Sequence, residues 1–119
     1  MSWKNVRLEL AGTREFPNGS AGRAYLLRLP LDERGLIDEG QVVQHPERAT
    51  VRRHWPNEPD RNGYLVRKPN GWAFAYAQGD PGDGDEFQLE ADPLQIGKCV
   101  TLIEANGARL PFKVAYCGS

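Results

Sequence analysis

The residues that could most readily bind a ligand form a basic segment that also contains aromatic side chains. Six arginines and lysines lie between residues 48 and 68, namely Arg48, Arg52, Arg53, Arg61, Arg67 and Lys68, and His54 and Trp55 stand among them. Guanidinium and ammonium groups pair with anions, and neighbouring rings stack on planar groups. This segment predicts a site for an anionic ligand or protein partner, formed by Arg52, Arg53, Trp55, Arg67 and Lys68.

Small β-barrels bind single-stranded nucleic acid with the same combination of basic and aromatic residues. The charge of this chain argues against that partner. The net charge is −1, and residues 78–92 contain six acidic residues and no basic one. An overall basic surface, the usual electrostatic mark of nucleic-acid binding, is therefore not expected. Single-stranded nucleic acid remains an alternative to a generic anionic partner.

Two cysteines and two histidines could provide a thiol nucleophile and its base. Cys99 and Cys117 are the cysteines, and His45 and His54 are the histidines. A Cys/His-dependent enzyme is therefore a second alternative, although the expectation leans to a protein without catalytic activity. The spacing lacks the Cys-x-x-Cys or Cys-x-x-His signature of a zinc site.

A disulfide between the two cysteines depends on the register of the last hairpin. A two-residue turn at Asn106-Gly107 would place Cys99 opposite Val114, whereas a longer loop could place it opposite Cys117. The sequence leaves both registers open.

The acidic loop at residues 80–86 could supply oxygen ligands to a hard cation such as calcium. Its carboxylates are Asp80, Asp83, Asp85 and Glu86. The spacing of an EF-hand fails, because the fifth position counted from Asp83 is Phe87 and the twelfth is Leu94. We expect a solvated loop, and neither a metal nor a cofactor.

The clearest structural element is a hairpin at residues 63–77. A Pro-Asn-Gly turn joins its two β-rich runs, and a type I turn with a glycine bulge would pair Lys68 with Trp72, Val66 with Phe74 and Tyr64 with Tyr76. All six side chains would then share one face. Because aromatic residues at a period of two usually form core, this face is predicted to be buried.

Further short strands are predicted on both sides of the hairpin. Strands are expected at residues 6–10, 24–29, 41–44, 50–55, 86–91, 98–104 and 110–116, with a structured loop at 31–40 and one helical turn at 92–97. In the first strand Val6, Leu8 and Leu10 are expected to face inward, and in the second Tyr25, Leu27 and Leu29 share one face. Four Asn-Gly pairs are interpreted as hairpin turns. The fold is predicted to be all-β, a small antiparallel β-barrel or two-sheet sandwich of about seven to nine short strands, in one domain over residues 1–119.

The remaining composition limits the setting and the function. The sequence lacks an apolar run long enough to span a membrane, and its first residues lack the apolar core of a signal peptide, so a cytoplasmic location with reduced thiols is expected. Exposed edge strands would allow a homodimer. The functional expectation is a non-catalytic binding or interaction module for an anionic ligand or partner.

Overall fold

The structure is a computed structural model that describes residues 2–69, 71–76, 86–87, 93–103 and 107–118. It contains eight strands, one short helix and one 3-10 turn. The strands are β1 (Ser2–Leu10), β2 (Ser20–Leu31), β3 (Thr50–His54), β4 (Arg61–Lys68), β5 (Gly71–Tyr76), β6 (Glu86–Phe87), β7 (Cys99–Ile103) and β8 (Arg109–Gly118). The helix α1 (Glu39–Gln44) and the 3-10 turn (Pro46–Arg48) lie between β2 and β3. None of the helices in the described ranges is long and apolar enough to cross a membrane.

Each strand pairs in an antiparallel manner with the next one along the chain. β8 pairs back with β1, from Asn5 opposite Gly118 to Leu10 opposite Phe112, so the sheet closes into a barrel. The ladders of β6 are short, with two residue pairs on each side. The prediction of an all-β fold of seven to nine antiparallel strands is confirmed, and the closed sheet selects the barrel over the sandwich.

The interior of the barrel is filled by alternate side chains from the strands. An eight-stranded barrel is just wide enough for side chains to fill it. The largest fully buried side chains are those of Tyr25, Phe74 and Phe112, and leucines and valines complete the core. The inward positions predicted for β1 and β2 are confirmed: Val6, Leu8, Leu10, Tyr25, Leu27 and Leu29 are all buried.

The segment between β2 and β3 differs from its prediction. Residues 41–44 were expected to form a strand but belong to helix α1. Asp38 caps this helix, because its side chain accepts a hydrogen bond of 3.2 Å from the Gln41 backbone N–H. Val42 is buried against the core, whereas Val43 is 70% exposed. Two adjacent valines fit a strand as well as a short helix, and the Asp38 cap favours the helix.

A second short-range prediction also fails, at residues 92–97. Among the described residues, 93–95 have no regular secondary structure and 96–97 form a turn. The Gly97 N–H donates to the Val114 carbonyl of β8 at 2.9 Å, and the Lys98 N–H donates to the Gln95 carbonyl at 3.0 Å. One bond to β8 and one local turn bond thus stand where a helical turn was predicted.

The loop that follows β2 is held by one carboxylate. The Asp32 side chain accepts hydrogen bonds from the backbone N–H groups of Leu36 (3.0 Å) and Arg34 (2.8 Å). The bond from Leu36, with a smaller contribution from Arg34, lowers the pKa of Asp32 below its usual value. The predicted structured loop at residues 31–40 is therefore ordered by an aspartate turn and ends in the first turn of α1.

The central hairpin forms in a register one residue away from the predicted one. Lys68 pairs with Gly71, Leu65 with Phe74 and Gly63 with Tyr76. A shift of one residue turns alternate side chains of β4 to the other face of the sheet. Trp72, Phe74 and Tyr76 are buried as predicted, but Tyr64 lies on the outer surface with 48% of its area exposed.

The Asn62-Gly63 pair does not form the predicted turn. Asn62-Gly63 lies inside strand β4. A Cβ on Gly63 would overlap the carbonyl oxygen of Ala75 and lie 2.8 Å from the Cα of Tyr76. Glycine is required here for the close approach of β4 and β5, not for a turn.

We expect Gly63→Ala to lower the free energy of unfolding by about 2–3 kcal/mol, because β4 and β5 would have to separate to admit the methyl group. Urea denaturation measures the change. Gly40→Ala in helix α1 is the control, since its added methyl would find its nearest neighbour at 3.5 Å. It should be neutral or stabilising by about 0.5–1 kcal/mol. Equal stability of the two variants would contradict this account of Gly63.

Candidate functional site

The residues predicted to form an anion site are distributed over three regions of the barrel. Arg53 points inward on β3, and 13% of its side chain is exposed. Its guanidinium carbon lies 3.9 Å from the centre of the Trp55 ring, and Nη1 lies 3.8 Å from the Glu58 carboxylate. Trp55 packs against the core, with ring centres 5.9 Å from Tyr25. The first region is thus an internal cluster in which Arg53 already has partners.

Arg67 and Lys68 lie at the opposite end of the barrel, where β4 meets the turn to β5. Arg67 donates to the Gly71 carbonyl at 2.8 Å and lies 3.4 Å from the Glu39 carboxylate. Its guanidinium also lies over the Trp72 ring, 5.3 Å from its centre. Arg67 thereby connects helix α1 to the strands. Lys68 is half-buried beside the turn.

Arg52 is the one predicted residue that lies in a groove on the outer wall. This groove has a volume of about 670 Å³ and crosses the outer faces of β8, β1, β2, β3 and β4. The residues that line it are Asn5, Val6, Arg7, Leu26, Leu27, Arg28, Thr50, Val51, Arg52, Asn62, Gly63, Tyr64 and Tyr116. Of these, Val6, Leu27 and Val51 are buried core residues, so the groove meets them mainly through their main chain.

The strand register arranges the outward side chains in two rows. In the first row Tyr116, Arg7, Leu26, Arg52 and Asn62 are successive cross-strand partners. In the second row the successive partners are Gly118, Asn5, Arg28, Thr50 and Tyr64. Strands lie about 4.8 Å apart, so each row spans roughly 19 Å over its four strand spacings. A shift in the β1–β8 register between Arg7 and Leu8 adds a bulge at one edge of the groove, and bulges bend strands.

Short polar contacts hold the three arginines of the groove. Arg28 donates to the Asn5 side-chain oxygen at 3.1 Å, and Arg52 donates to that of Asn62 at 3.3 Å. Arg7 pairs with Glu9 at 2.7 Å and donates to the Ala21 carbonyl at 3.0 Å. Within the part of the chain that the structure describes, Arg28 and Arg52 have no carboxylate partner. Their positive charges are therefore oriented by amides without being neutralised.

Two half-exposed tyrosines lie at opposite ends of the groove. Tyr64 is 48% exposed on β4, and Tyr116 is 49% exposed on β8. The hydroxyl end of Tyr116 lies over Gly118, because a Cβ built on that glycine would be 2.6 Å from the tyrosine oxygen. The ring therefore extends along the surface of β8 instead of standing away from it.

Sequence reasoning missed most of this groove. Arg7, Arg28, Tyr64 and Tyr116 were not predicted as site residues, and Tyr64 was assigned to the core. One signal in the sequence could have found the arginines. On three consecutive strands, Arg7 and Arg28 each stand between two inward-facing apolar residues, and Arg52 follows the inward-facing Val51. Because consecutive strands of this barrel are neighbours, such outward arginines meet on one surface.

Among the described residues, no hydrogen bond joins a cysteine to a histidine. Three strands lie between Cys99 on β7 and His54 on β3 in either direction around the barrel, and His54 is 2.8 Å from the Asp60 carboxylate. Cys99 pairs with Lys113, a register that matches neither of the two considered, and both cysteines are free. Burial raises the pKa of the Cys117 thiol, which is opposite to the activation that a nucleophile needs.

Metal binding finds no support in the described residues, which contain no group of three or more potential ligands. The carboxylates predicted as possible cation ligands in the loop at residues 80–86 lie outside the part of the chain that the structure describes, which includes only the main chain of Glu86.

The raised pKa of Cys117 predicts that its thiol is alkylated slowly. In a Cys99→Ser variant, iodoacetamide should alkylate Cys117 more slowly than free cysteine at neutral pH, because a smaller fraction is thiolate, and the rate should recover only at higher pH. In the wild-type protein the exposed Cys99 should be modified first. Mass spectrometry over a pH series measures both. A Cys117 that reacted faster than free cysteine at neutral pH would contradict this prediction and favour a thiol enzyme.

No protein-family model matches the chain, and neither a curated protein nor a solved structure is significantly similar to it. Its function therefore has to be argued from the geometry of the groove.

Proposed function

We propose that this protein is a non-catalytic binding module that holds an anionic ligand or partner in the groove on its outer wall. The observation that carries this proposal is the charge of the groove. Its lining includes three arginines, and none of the described residues that line it is an aspartate or a glutamate. Arg7 is paired with the Glu9 carboxylate, so Arg28 and Arg52 provide the locally positive surface on a chain whose net charge is −1.

The arginines are suited to this role because they are held in place before a ligand arrives. A guanidinium presents a planar fork of donors that matches carboxylate and phosphate oxygens. The amide oxygens of Asn5 and Asn62 accept one donor each from Arg28 and Arg52, which leaves the other N–H groups available to a ligand. Less side-chain entropy is then lost on binding.

The proposed site differs from the predicted one but keeps its chemistry. Arg52 is common to both. Arg53 and Trp55 belong to the internal cluster, and Arg67 contacts Glu39 and Gly71, so these three serve packing and folding in this proposal. The interior of the barrel is filled with large side chains, which supports a ligand on the outer wall.

We also propose a cytoplasmic location, which the two cysteines support. Both are free, and Cys99 is exposed, as is typical of proteins in compartments that keep thiols reduced.

Inorganic polyphosphate is a suitable probe for the proposed function, since it carries many anionic oxygens and no other recognition group. We expect saturable binding that weakens as salt rises. Replacement of both Arg28 and Arg52 by serine should weaken binding by at least about tenfold, because the charged hydrogen bonds that are lost contribute about 1.5 kcal/mol or more to the binding free energy. Calorimetric titration measures the affinity.

Arg109→Ser is the matched control. Arg109 is an exposed arginine at the start of β8, at the opposite end of that strand from Tyr116. Its replacement removes one positive charge, as Arg28→Ser and Arg52→Ser each do when made singly. The affinity should be unchanged in Arg109→Ser and lower in each single groove variant. Equal losses for the single groove variants and for Arg109→Ser would show attraction to overall charge and would refute the groove as the site.

A further inference from the structure

The groove offers an extended ligand more than charge. Its rows cross five strands and span roughly 19 Å, which exceeds the reach of a single phosphate or carboxylate group. The lining combines three arginines with two tyrosines, two asparagines and a threonine. The groove is also open along its length, since it lies on the outer wall of the barrel. A linear ligand with repeated anionic groups fits this shape.

The two tyrosines favour a ligand that carries planar groups as well as anionic ones. Tyr64 and Tyr116 each expose about half of their surface at the two ends of the groove, at 48% and 49%. Tyr116 extends along the sheet surface over Gly118, and half-exposed rings of this kind can serve as platforms on which unpaired bases stack. An acidic peptide would use the arginines but gain little from the rings.

The distribution of charge and aromatic area along the groove suits a short nucleic-acid strand. The three arginines occupy the middle of the groove on β1, β2 and β3, and the tyrosines occupy its flanks on β8 and β4. Leu26 lies between Arg7 and Arg52 in the first row and supplies an apolar contact for a sugar or a base. A strand whose phosphates cross the middle of the groove, and whose bases stack at its two flanks, would contact all of these groups.

From this arrangement we infer that the groove binds single-stranded nucleic acid, with Arg28 and Arg52 on the phosphates and Tyr64 and Tyr116 stacked on bases. The inference rests on the proposed anionic site and specifies its ligand. Its basis differs from that of the nucleic-acid alternative drawn from the sequence, which relied on the aromatic face of the hairpin. Trp72, Phe74 and Tyr76 of that face are buried, so they cannot stack on bases.

Single-stranded nucleic acid is preferred over a duplex for a physical reason. Bases in a duplex are stacked on one another and paired, so their faces are not accessible to tyrosines on a protein surface. The chain also lacks the overall positive charge that drives non-specific duplex binding, with a net charge of −1. Affinity must come from the few contacts within the groove.

The test uses the full chain and a fluorescein-labelled oligothymidylate of about eight nucleotides, a length within the range that small single-strand-binding barrels cover. Fluorescence anisotropy should show saturable binding. With two phosphates neutralised, by Arg28 and Arg52, the logarithm of the affinity should fall with the logarithm of the salt concentration at a slope of about −1.4. The same sequence as a duplex should bind at least about tenfold more weakly, because it offers no free bases.

Tyrosine variants separate stacking from charge. Tyr64→Ala and Tyr116→Ala should each weaken oligothymidylate binding by about tenfold, the usual size of a lost base stack. Neither should change the affinity for inorganic polyphosphate, which has no bases. Tyr64→Phe and Tyr116→Phe keep the ring and should restore binding of the oligonucleotide. A thermal melt of each variant confirms that the barrel remains folded.

Failure of the inference and failure of the proposed function give different results. If polyphosphate binds in the groove but the alanine variants leave oligothymidylate binding unchanged, the anionic site stands and the nucleic-acid inference is overturned. The inference is also overturned if the duplex, or an oligoglutamate of equal charge, binds as tightly as the single strand. If neither polyphosphate nor oligothymidylate binds, the proposed function fails together with the inference.

Discussion

The packing of Tyr25 against two phenylalanines holds the barrel together. Its ring centre lies 5.2 Å from that of Phe74 on β5 and 5.2 Å from that of Phe112 on β8. Tyr25 itself belongs to β2, so one fully buried side chain connects three strands spaced around the barrel. Each aromatic pair adds about 1 kcal/mol beyond the burial of its area. Because the interior is filled in this way, all exposed chemistry must lie on the outer wall or at the two ends.

Most of the fold follows from the alternation of apolar residues in the sequence. This alternation placed β1 and β2 correctly, with Leu8 and Tyr25 buried as predicted. It fails where one residue decides between two registers. The turn before Gly71 was predicted with the wrong length, and the slip moved Tyr64 from the core to the outer surface. Turn geometry depends on backbone dihedral angles that residue types constrain only in part.

Helix α1 shows a second limit of reasoning from the sequence. Its six residues contain two adjacent valines, a pattern that suits a strand as well as a single helical turn. The Asp38 cap and the ion pair between Glu39 and Arg67 favour the helix. The second of these joins residues far apart in the sequence, so it becomes visible only when β4 is already in place.

The candidate groove was less predictable than the fold because its residues come from five strands. The sequence places the basic residues of residues 48–68 close together, but alternation sends Arg52 outward and Arg53 inward. Proximity along a strand therefore does not imply a shared surface. The true neighbours of Arg52 are Leu26 and Asn62, which are 26 and 10 residues away and become adjacent through strand pairing.

Because the groove lies on the outer wall, the arginines of the proposed binding site are not the arginines whose contacts stabilise the fold. Arg28 and Arg52 contact amide side chains on the surface, whereas Arg53 and Arg67 contact rings and carboxylates that hold the fold. Charges separated by more than about 8 Å are largely screened at physiological salt, so the acidic residues elsewhere in the chain affect the groove only weakly. A protein with a net charge of −1 can thus present a positive groove. For the proposed binding, the positions of Arg28 and Arg52 on neighbouring strands matter more than the total charge of the chain.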